Sequence, residues 1–349
     1  MFTADELANI ANSTLENYIN TGKVFKNNVQ NKPLLKAMDA RSGRFEGGKD
    51  YVSMGVAAGQ GGGTLAGYEG DDEVSYYNPT PTKRVKYAWK EHHIGTQITH
   101  SELKRDGIEV MEEDTADART MEISGREKFV LAGLLEEKQS ALGEDYAKGL
   151  NSLLWGDGSS DAKAIAGIRS VILGTPDTGY TGGLNRSAYS WWRNRAVLGT
   201  SSASTGGGVL INVLQKEWRQ LNRYADGGTN HILLAGSDFI DAYEKEMRAN
   251  GYYSQTGWSG GQDAAMGDVM WMKKPITYDP TLDDLSLSKY MYVLDLSPRA
   301  IQLLYLNGRK IQKHKPARPY NRYVLYNGLT TTAVLVAKRL NTSGVYSIN

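Results

Sequence analysis

A glycine-loaded loop, Gly59-Gln60-Gly61-Gly62-Gly63, lies between two strand-like stretches, and a charged helical segment of roughly forty residues follows, from about Thr115 to Trp155. The loop has too little apolar content to fold on itself. The helical segment is far longer than the three to four turns usual in globular proteins. A long loop and a long helix flanking a mixed α/β region cannot complete their surfaces within one tidy globule. The pair predicts a subunit whose faces are completed by neighbouring copies.

The local pattern around these features is consistent with that. Tyr51-Val52-Ser53-Met54-Gly55-Val56 is strand-like, and Val85, Tyr87 and Trp89 alternate with Lys86, Ala88 and Lys90 at period two. Between them lie about 28 residues rich in Gly, Asp and Tyr, so the segment reads as a long hairpin. In the helical segment Leu131, Leu135, Leu142, Tyr146, Leu150 and Leu154 trace one stripe. Glu112 to Leu150 holds ten acids and five bases, so the solvated faces are acidic. Gly125, Gly133, Gly143 and Gly149 each weaken a helix by about 1 kcal/mol relative to Ala and predict a kink or break near one of them. Gly156-Asp157-Gly158 ends it.

Ahead of the hairpin, Ala4 to Ile19 reads as an amphipathic helix, and Pro33 in Lys32-Pro33-Leu34-Leu35 is expected to break any helix. Beyond the long helix, Leu210, Leu214, Trp218, Leu221 and Ala225 make an amphipathic helix, and His231 to Ala235 a buried strand. Ser237 can cap a further helix ending at Ala249. Tyr290 to Leu296, Ala300 to Leu306 and Thr330 to Ala337 read as strands, with hairpin turns expected at Asn307-Gly308 and Asn327-Gly328. A helix–strand–helix order fits an α/β lobe, within a chain that reads as a whole as α+β.

Composition narrows the function classes. With no cysteine, disulfides, thiolate metal sites and cysteine nucleophiles are excluded. A net charge of +1 does not coat nucleic acid by bulk electrostatics. No run of about 18 apolar residues is present, and Met1-Phe2-Thr3-Ala4-Asp5-Glu6 lacks the features of a secretory signal. Tyr outnumbers Phe by 21 to 5, which suits surfaces buried on association or, equally, ordinary half-buried positions.

Catalytic motifs fail on context. Gly61-Gly62-Gly63-Thr64-Leu65-Ala66 matches a dinucleotide fingerprint, but Gly67, Gly70 and Asp71-Asp72 follow where a helix is required. Gly257-Trp258-Ser259-Gly260-Gly261 matches a nucleophile elbow, with His314 downstream and Asp279, Asp283, Asp284 and Asp295 between. Ser259 nevertheless follows a helix end and precedes a loop, so it reads as a loop serine. His92 and His93 are adjacent in a strand and point to opposite faces, so they do not share a metal with His100. Arg309 to Arg322 carries six Arg or Lys and no acid. It reads as a solvated loop, with nucleic acid or an acidic partner as the functional alternatives.

The order of segments resembles the major capsid proteins of tailed bacteriophages, the Hong Kong 97-like capsid fold. The resemblance rests on Lys32-Pro33-Leu34-Leu35 ahead of Gly47-Gly48, Ile165-Ala166-Gly167-Ile168 after the long helix, and Gly182-Gly183-Leu184-Asn185-Arg186-Ser187 followed by Tyr189-Ser190-Trp191-Trp192-Arg193-Asn194. It covers nearly the whole chain. It implies an N-terminal arm over residues 1–46, an E-loop with flanking strands over 47–100, and a peripheral domain with its spine helix over 101–160. An axial domain over 161–320 and return strands over 321–349 complete it. It implies self-assembly into pentamers and hexamers of an icosahedral shell around double-stranded DNA, bound without sequence specificity, in the virion after assembly in the host cytoplasm. Expected partners are other copies, a separate scaffolding protein (the arm begins at Met1), a portal and a decoration protein, with no membrane, cofactor or enzymatic activity. Subunit-interface candidates are Gly61, Gly62, Gly63, Tyr68, Asp71, Asp72, Tyr76 and Tyr77 in the loop, and Lys313, Lys315 and Arg318 in the basic run. Some relatives form Lys–Asn cross-links, but no local motif assigns that chemistry to Lys49, Lys83, Lys86 or Lys90. The alternatives are an encapsulin-like nanocompartment shell, a phage tail or decoration protein, and a serine hydrolase using Ser259 and His314.

Overall fold

The computed structural model describes residues 2–3, 30–47, 50–57, 65–78, 82–105, 110–111, 125–159, 161–202, 208–225, 230–249, 269–306, 310–314 and 324–349. The chain divides into two compact units, each made of separate stretches of sequence. One comprises Asn31–Lys90, Leu153–Gly308 and Ala333–Asn349, and the other Met1–Gln30, Glu91–Ser152 and Arg309–Thr332.

The larger unit is built on a six-stranded mixed sheet. Its strand order is Met270–Trp271, Lys274–Tyr278, His231–Ala235, Tyr290–Asp295, Gly344–Ile348, Arg195–Thr200. His231–Ala235 runs parallel to Lys274–Tyr278 and antiparallel to Tyr290–Asp295, while the C-terminal strand Gly344–Ile348 runs parallel to Arg195–Thr200. Alternation along these strands puts Leu233, Ala235, Met291, Val293, Tyr346 and Ile348 into one cluster with the helices Leu210–Asn222 and Ser237–Ala249. The residues between them, Leu234, Tyr292, Leu294 and Val345, are also buried. A sheet covered on both faces explains why Tyr290–Asp295 reads as a continuous apolar run rather than an alternating one.

Both helices borrow their N-terminal caps. Leu210–Asn222 has no capping side chain of its own. The buried Glu246 carboxylate, from the neighbouring helix, accepts from Leu210 N at 3.2 Å and Ile211 N at 2.9 Å. A carboxylate there satisfies orphan amides and meets the positive end of the helix dipole. The expected cap by Ser237 is corrected in the same way: Ser237 is the first helical residue, and its N–H donates to Asp283 Oδ1 at 3.1 Å.

A second sheet region of this unit pairs Ile301–Leu306 antiparallel with residues 333–337 and parallel with Gly43–Phe45. The helix Pro33–Ala40 precedes the latter strand. Pro33 does not break a helix, as the sequence led us to expect; it starts one, because the first helical position needs no N–H. Leu34, Leu35 and Met38 of this helix are buried, and Tyr305 Oη donates to Asp39 Oδ1 at 2.8 Å. Residues 33–45, inside the stretch read as an arm, are therefore packed against the body of the unit. The expected helix over Ala4–Ile19 lies outside the described residues.

The smaller unit holds most of the strand Lys90–Thr99, the helix His100–Arg105 and residues 125–152 of the long helix Gly125–Trp155. That helix has 31 residues, and the part expected before Gly125 lies outside the described residues. It runs unbroken through Gly133, Gly143 and Gly149, so no break occurs at these three; Gly125 is its first described residue. A few kcal/mol of glycine propensity is overridden where Leu142, Tyr146, Ala147 and Leu150 are buried. Leu142 packs with Leu329, Ile94 and Ile311. Thr99 and Glu102 form a reciprocal capping box at the short helix: Thr99 N donates to Glu102 Oε2 at 3.0 Å and Glu102 N to Thr99 Oγ1 at 3.2 Å. Lys138 Nζ adds an ion pair to Glu102 at 3.3 Å.

The hairpin turn expected at Asn327-Gly328 is also corrected. Both residues lie within the strand Val324–Ala337, where Gly328 pairs with His314. The glycine serves close approach rather than a turn, since a Cβ there would sit 2.5 Å from His93 Nε2. The Asn307-Gly308 turn lies outside the described residues.

Candidate assembly surfaces

The hairpin read from the sequence is present. Tyr51–Val56 and Lys83–Ala88 pair antiparallel from Tyr51↔Ala88 to Val56↔Lys83. Every described residue of the connection, 65–78, is exposed and without regular structure. Leu65 is 102% and Tyr76 93% exposed, with Tyr68 and Tyr77 also well out in solvent. One local turn interrupts the extended chain: Gly70 takes φ +60°, Asp72 N donates to Glu69 O at 3.2 Å, and Glu69 N donates to Asp72 Oδ2 at 3.0 Å. Asp71, Asp72 and Glu73 share this stretch with Glu69, and no Lys or Arg lies between residues 65 and 78. Four uncompensated acids and three exposed tyrosines cannot form a core by themselves.

The root of the hairpin is held rigidly. Tyr87 Oη donates to Ala337 O at 2.9 Å, and burial pushes this phenol well above its ordinary pKa. Gly182 abuts the root, with φ +60° and an amide link from Lys86 N to Gly182 O at 3.0 Å. A Cβ at this position would meet Tyr87 Oη and Val85 Cβ at 2.9 Å each. Only glycine serves both the backbone angle and the contact.

The turn that carries Gly182 is locked by Arg186, whose side chain is fully buried. Its Nε donates to Thr181 Oγ1 at 2.9 Å and its Nη1 to Asn194 Oδ1 at 2.6 Å, while Nη2 reaches Thr181 Oγ1 and Val171 O. No carboxylate is among these partners, and burial lowers the guanidinium pKa to about 10. Asn194 Nδ2 returns donors to Leu173 O and Arg195 O at 2.9 Å. Trp192 Nε1 donates to Thr181 O at 3.1 Å. The Gly182–Asn194 segment that carried part of the family resemblance is thus a structural clasp. Sequence reasoning missed the clasp; its one readable signal was an Arg and an Asn bracketing a pair of tryptophans.

The remaining expected positions are dispersed. Lys313 is half-buried in the strand Gln312–His314, and Gly61, Gly62, Gly63, Lys315, Arg318 and Ser259 lie outside the described residues. His314 is exposed at the end of its strand. Two acids considered with it are engaged elsewhere. Asp279 accepts from Trp155 Nε1 and Thr281 N, and Asp283 from Ser237 N and Tyr278 Oη. His92 and His93 alternate between half-buried and exposed along their strand, as opposite faces require. Among the described residues no three His, Cys, Asp or Glu side chains group to hold a metal, and no helix is long and apolar enough to cross a membrane.

No protein-family model and no curated protein matches the sequence. Solved structures do match. The cyanophage A-1(L) capsid subunit aligns over 93% of this chain and 94% of its own, at 14% identity and a TM-score of 0.61. The capsid of a native GTA particle aligns over 93% and 92%, at 10% identity and 0.56. This chain has the Hong Kong 97-like capsid fold. The capsid of Myoviridae phage XM1 extends the likeness, with 93% and 94% coverage at 9% identity and 0.53. At such identities the shared feature is the fold, and side-chain networks such as the Arg186 clasp must be read from this chain alone. In this capsid fold the long helix and the exposed hairpin loop, the two features that could not close on themselves in sequence, are both present.

Proposed function

We propose that the chain is a major capsid protein, which self-assembles into hexamers and pentamers of an icosahedral head shell enclosing double-stranded DNA. The observation that carries this reading is a capsid fold shared over 93% of this chain, coupled to a hairpin loop whose described residues are all exposed. Such a loop acquires a dry environment only by lying on another copy. Rings built this way use head-to-tail contacts in which unlike patches meet. In this reading the hairpin is the E-loop, Gly125–Trp155 the spine helix of a peripheral domain, and the six-stranded sheet the heart of an axial domain. Tyr68, Asp71, Asp72, Tyr76 and Tyr77 are interface residues. The role is structural rather than enzymatic: Asp279 and Asp283 serve the fold. A separate scaffolding protein, a portal and a decoration protein complete the expected partners, and DNA is enclosed without base readout.

Sedimentation and electron microscopy of the purified chain, alone and with a scaffolding protein, test the reading. Capsomers or uniform shells are expected. A stable monomer under all these conditions overturns it, and shells that hold enzyme cargo in place of DNA redirect it to a nanocompartment.

A further inference from the structure

A groove of about 940 Å³ opens on the larger unit, at the root of the exposed hairpin. Gly55, Val56 and Ala57, from which the loop departs, form part of its wall. Five cations line it, Arg193, Arg195, Arg299, Lys338 and Arg339, against one acid, Asp177. Arg195 is neutralised by Glu217, with Nε–Oε2 at 2.8 Å and Nη2–Oε1 at 2.7 Å. Arg193 and Lys338 bond differently. Arg193 donates to Arg186 O and Ser187 O, and Lys338 to Pro298 O, so both are fixed in place by backbone carbonyls. Arg339 likewise donates from Nη1 to Tyr224 O at 2.6 Å. A carbonyl accepts a hydrogen bond without cancelling a full charge, so Arg193 and Lys338 leave the described walls of the groove with a positive field. Burial also holds the Lys338 ammonium below its ordinary pKa, a cost that a bound anion relieves. Trp191 and Tyr224 add ring surface to the same walls.

The loop over residues 65–78 is the complement of this groove. It is acidic where the groove is basic, lacks any cation, and presents its tyrosines to solvent. In its own chain it does not lie in the groove, since all its described residues are exposed. We infer that the Arg193–Arg299–Lys338–Arg339 groove receives the acidic, tyrosine-flanked loop of a second copy of this chain. The inference rests on the shell-subunit reading and deepens it by assigning the loop a receiving surface. Guanidinium groups held in a fixed fork suit paired carboxylates, and the aromatic walls suit the tyrosine rings. Duplex DNA is the competing occupant of a basic groove. The loop is favoured because it answers both the charge and the rings, while phosphates answer only the charge.

Charge exchange tests the inference on full-length protein. One variant reverses the groove (Arg299→Glu with Arg339→Glu), and another reverses the loop (Asp71→Lys with Asp72→Lys). Each alone is expected to lose shell formation. An equimolar mixture is expected to recover six-membered rings, read by sedimentation and electron microscopy, because alternating copies then meet partners of opposite sign; a five-membered ring cannot alternate, so closed shells are not the readout. Recovery also shows that both variants fold; the single Arg299→Glu, at an exposed position, provides a milder groove variant if the double one does not. Shells that form normally from the groove variant overturn the inference while leaving the shell-subunit reading intact. So does a mixture that forms no six-membered rings although a chain carrying both reversals assembles, which would place the loop in its own groove. Loss of duplex DNA binding by the groove variant, with empty shells unaffected, assigns the groove to DNA and also overturns it. Failure of the unaltered chain to assemble under any condition strikes instead at the shell-subunit reading.

Discussion

The Trp155 indole donates from Nε1 to Oδ2 of the fully buried Asp279 at 3.0 Å, tying the last residue of the 31-residue helix to the start of the short helix Pro280–Asp284. Asp279 also caps that short helix, accepting from Thr281 N at Oδ1, and takes a further backbone hydrogen bond from Leu34. Trp155 packs edge-on to Tyr292 with ring centroids 5.1 Å apart. One carboxylate thus gathers three segments distant in sequence. Asp279→Ala leaves a buried indole N–H and capping amides without acceptors, and is expected to destabilise the unassembled subunit by about 2–4 kcal/mol. Asp279→Asn keeps one acceptor and sets an NH2 against a donor, so its loss is smaller but real. Urea unfolding of both variants checks the order; an unchanged midpoint for Asp279→Ala would sink the argument.

Arg186 gives a second test inside the core. Its fork satisfies Thr181, Asn194 and a backbone carbonyl at once, which a lysine cannot do from a single ammonium. Arg186→Lys is expected to cost about 1–3 kcal/mol through hydrogen-bond acceptors left buried and unmet. Arg186→Met removes the buried charge together with the hydrogen bonds, so its difference from Arg186→Lys, which keeps the charge, isolates the cost of burying it. Thermal melts of the two variants measure it. If Arg186→Lys melts like the wild type, the fork geometry is irrelevant.

The parts of this fold that were legible in sequence are those where one local pattern decides the outcome. Period-two alternation set the hairpin strand at Lys83–Ala88, a strand-like run set its partner Tyr51–Val56, and helical spacing set Leu210–Asn222. What was illegible depends on distant partners. Pro33 begins a helix because Leu34, Leu35 and Met38 find a buried surface, and Gly328 sits in a strand because His93 crosses its face. Glu246 and Asp283 cap helices other than their own, which no local signature encodes. The Thr99–Glu102 capping box, in contrast, was readable and was missed. The exposed loop was legible as a loop, but its proposed receiving groove is assembled from residues 55 to 341, beyond the reach of any local motif.

Acid should weaken the subunit partly through Asp283. Desolvation, the largest single influence, pushes its pKa up, but hydrogen bonds from Tyr278 Oη at 2.7 Å and Ser237 N outweigh it, and the net shift is below 3.8. A carboxyl whose folded pKa is depressed contributes stability that is present above the unfolded value and lost as pH falls through the folded one. The loss therefore falls below about pH 4. The group is largely solvated, so the contribution is under about 1 kcal/mol. Asp283→Asn should flatten that part of the acid limb in denaturant titrations between about pH 2 and 5. A variant with an acid limb as steep as the wild type's removes Asp283 from the account.

The exposed tyrosines distinguish folding from assembly most cleanly. Tyr76 and Tyr77 project from a loop whose described residues, 65–78, are all exposed, and are themselves 93% and 58% exposed. Replacing both with Ala removes apolar surface that only a second copy can cover, so the unfolding free energy of the unassembled subunit should stay within about half a kcal/mol of the wild type. Burying an aromatic side chain is worth about 1.5–3 kcal/mol, and a ring of subunits repeats the contact at every junction. The double variant should therefore raise the protein concentration at which shells first appear, with the shift read by light scattering across a dilution series. Limited proteolysis supplies the second readout: the loop should be cut readily in free subunits and protected in shells. Shells that form at the wild-type concentration, with a loop cut equally in both states, would show that these tyrosines face solvent in the assembly as they do in the single chain.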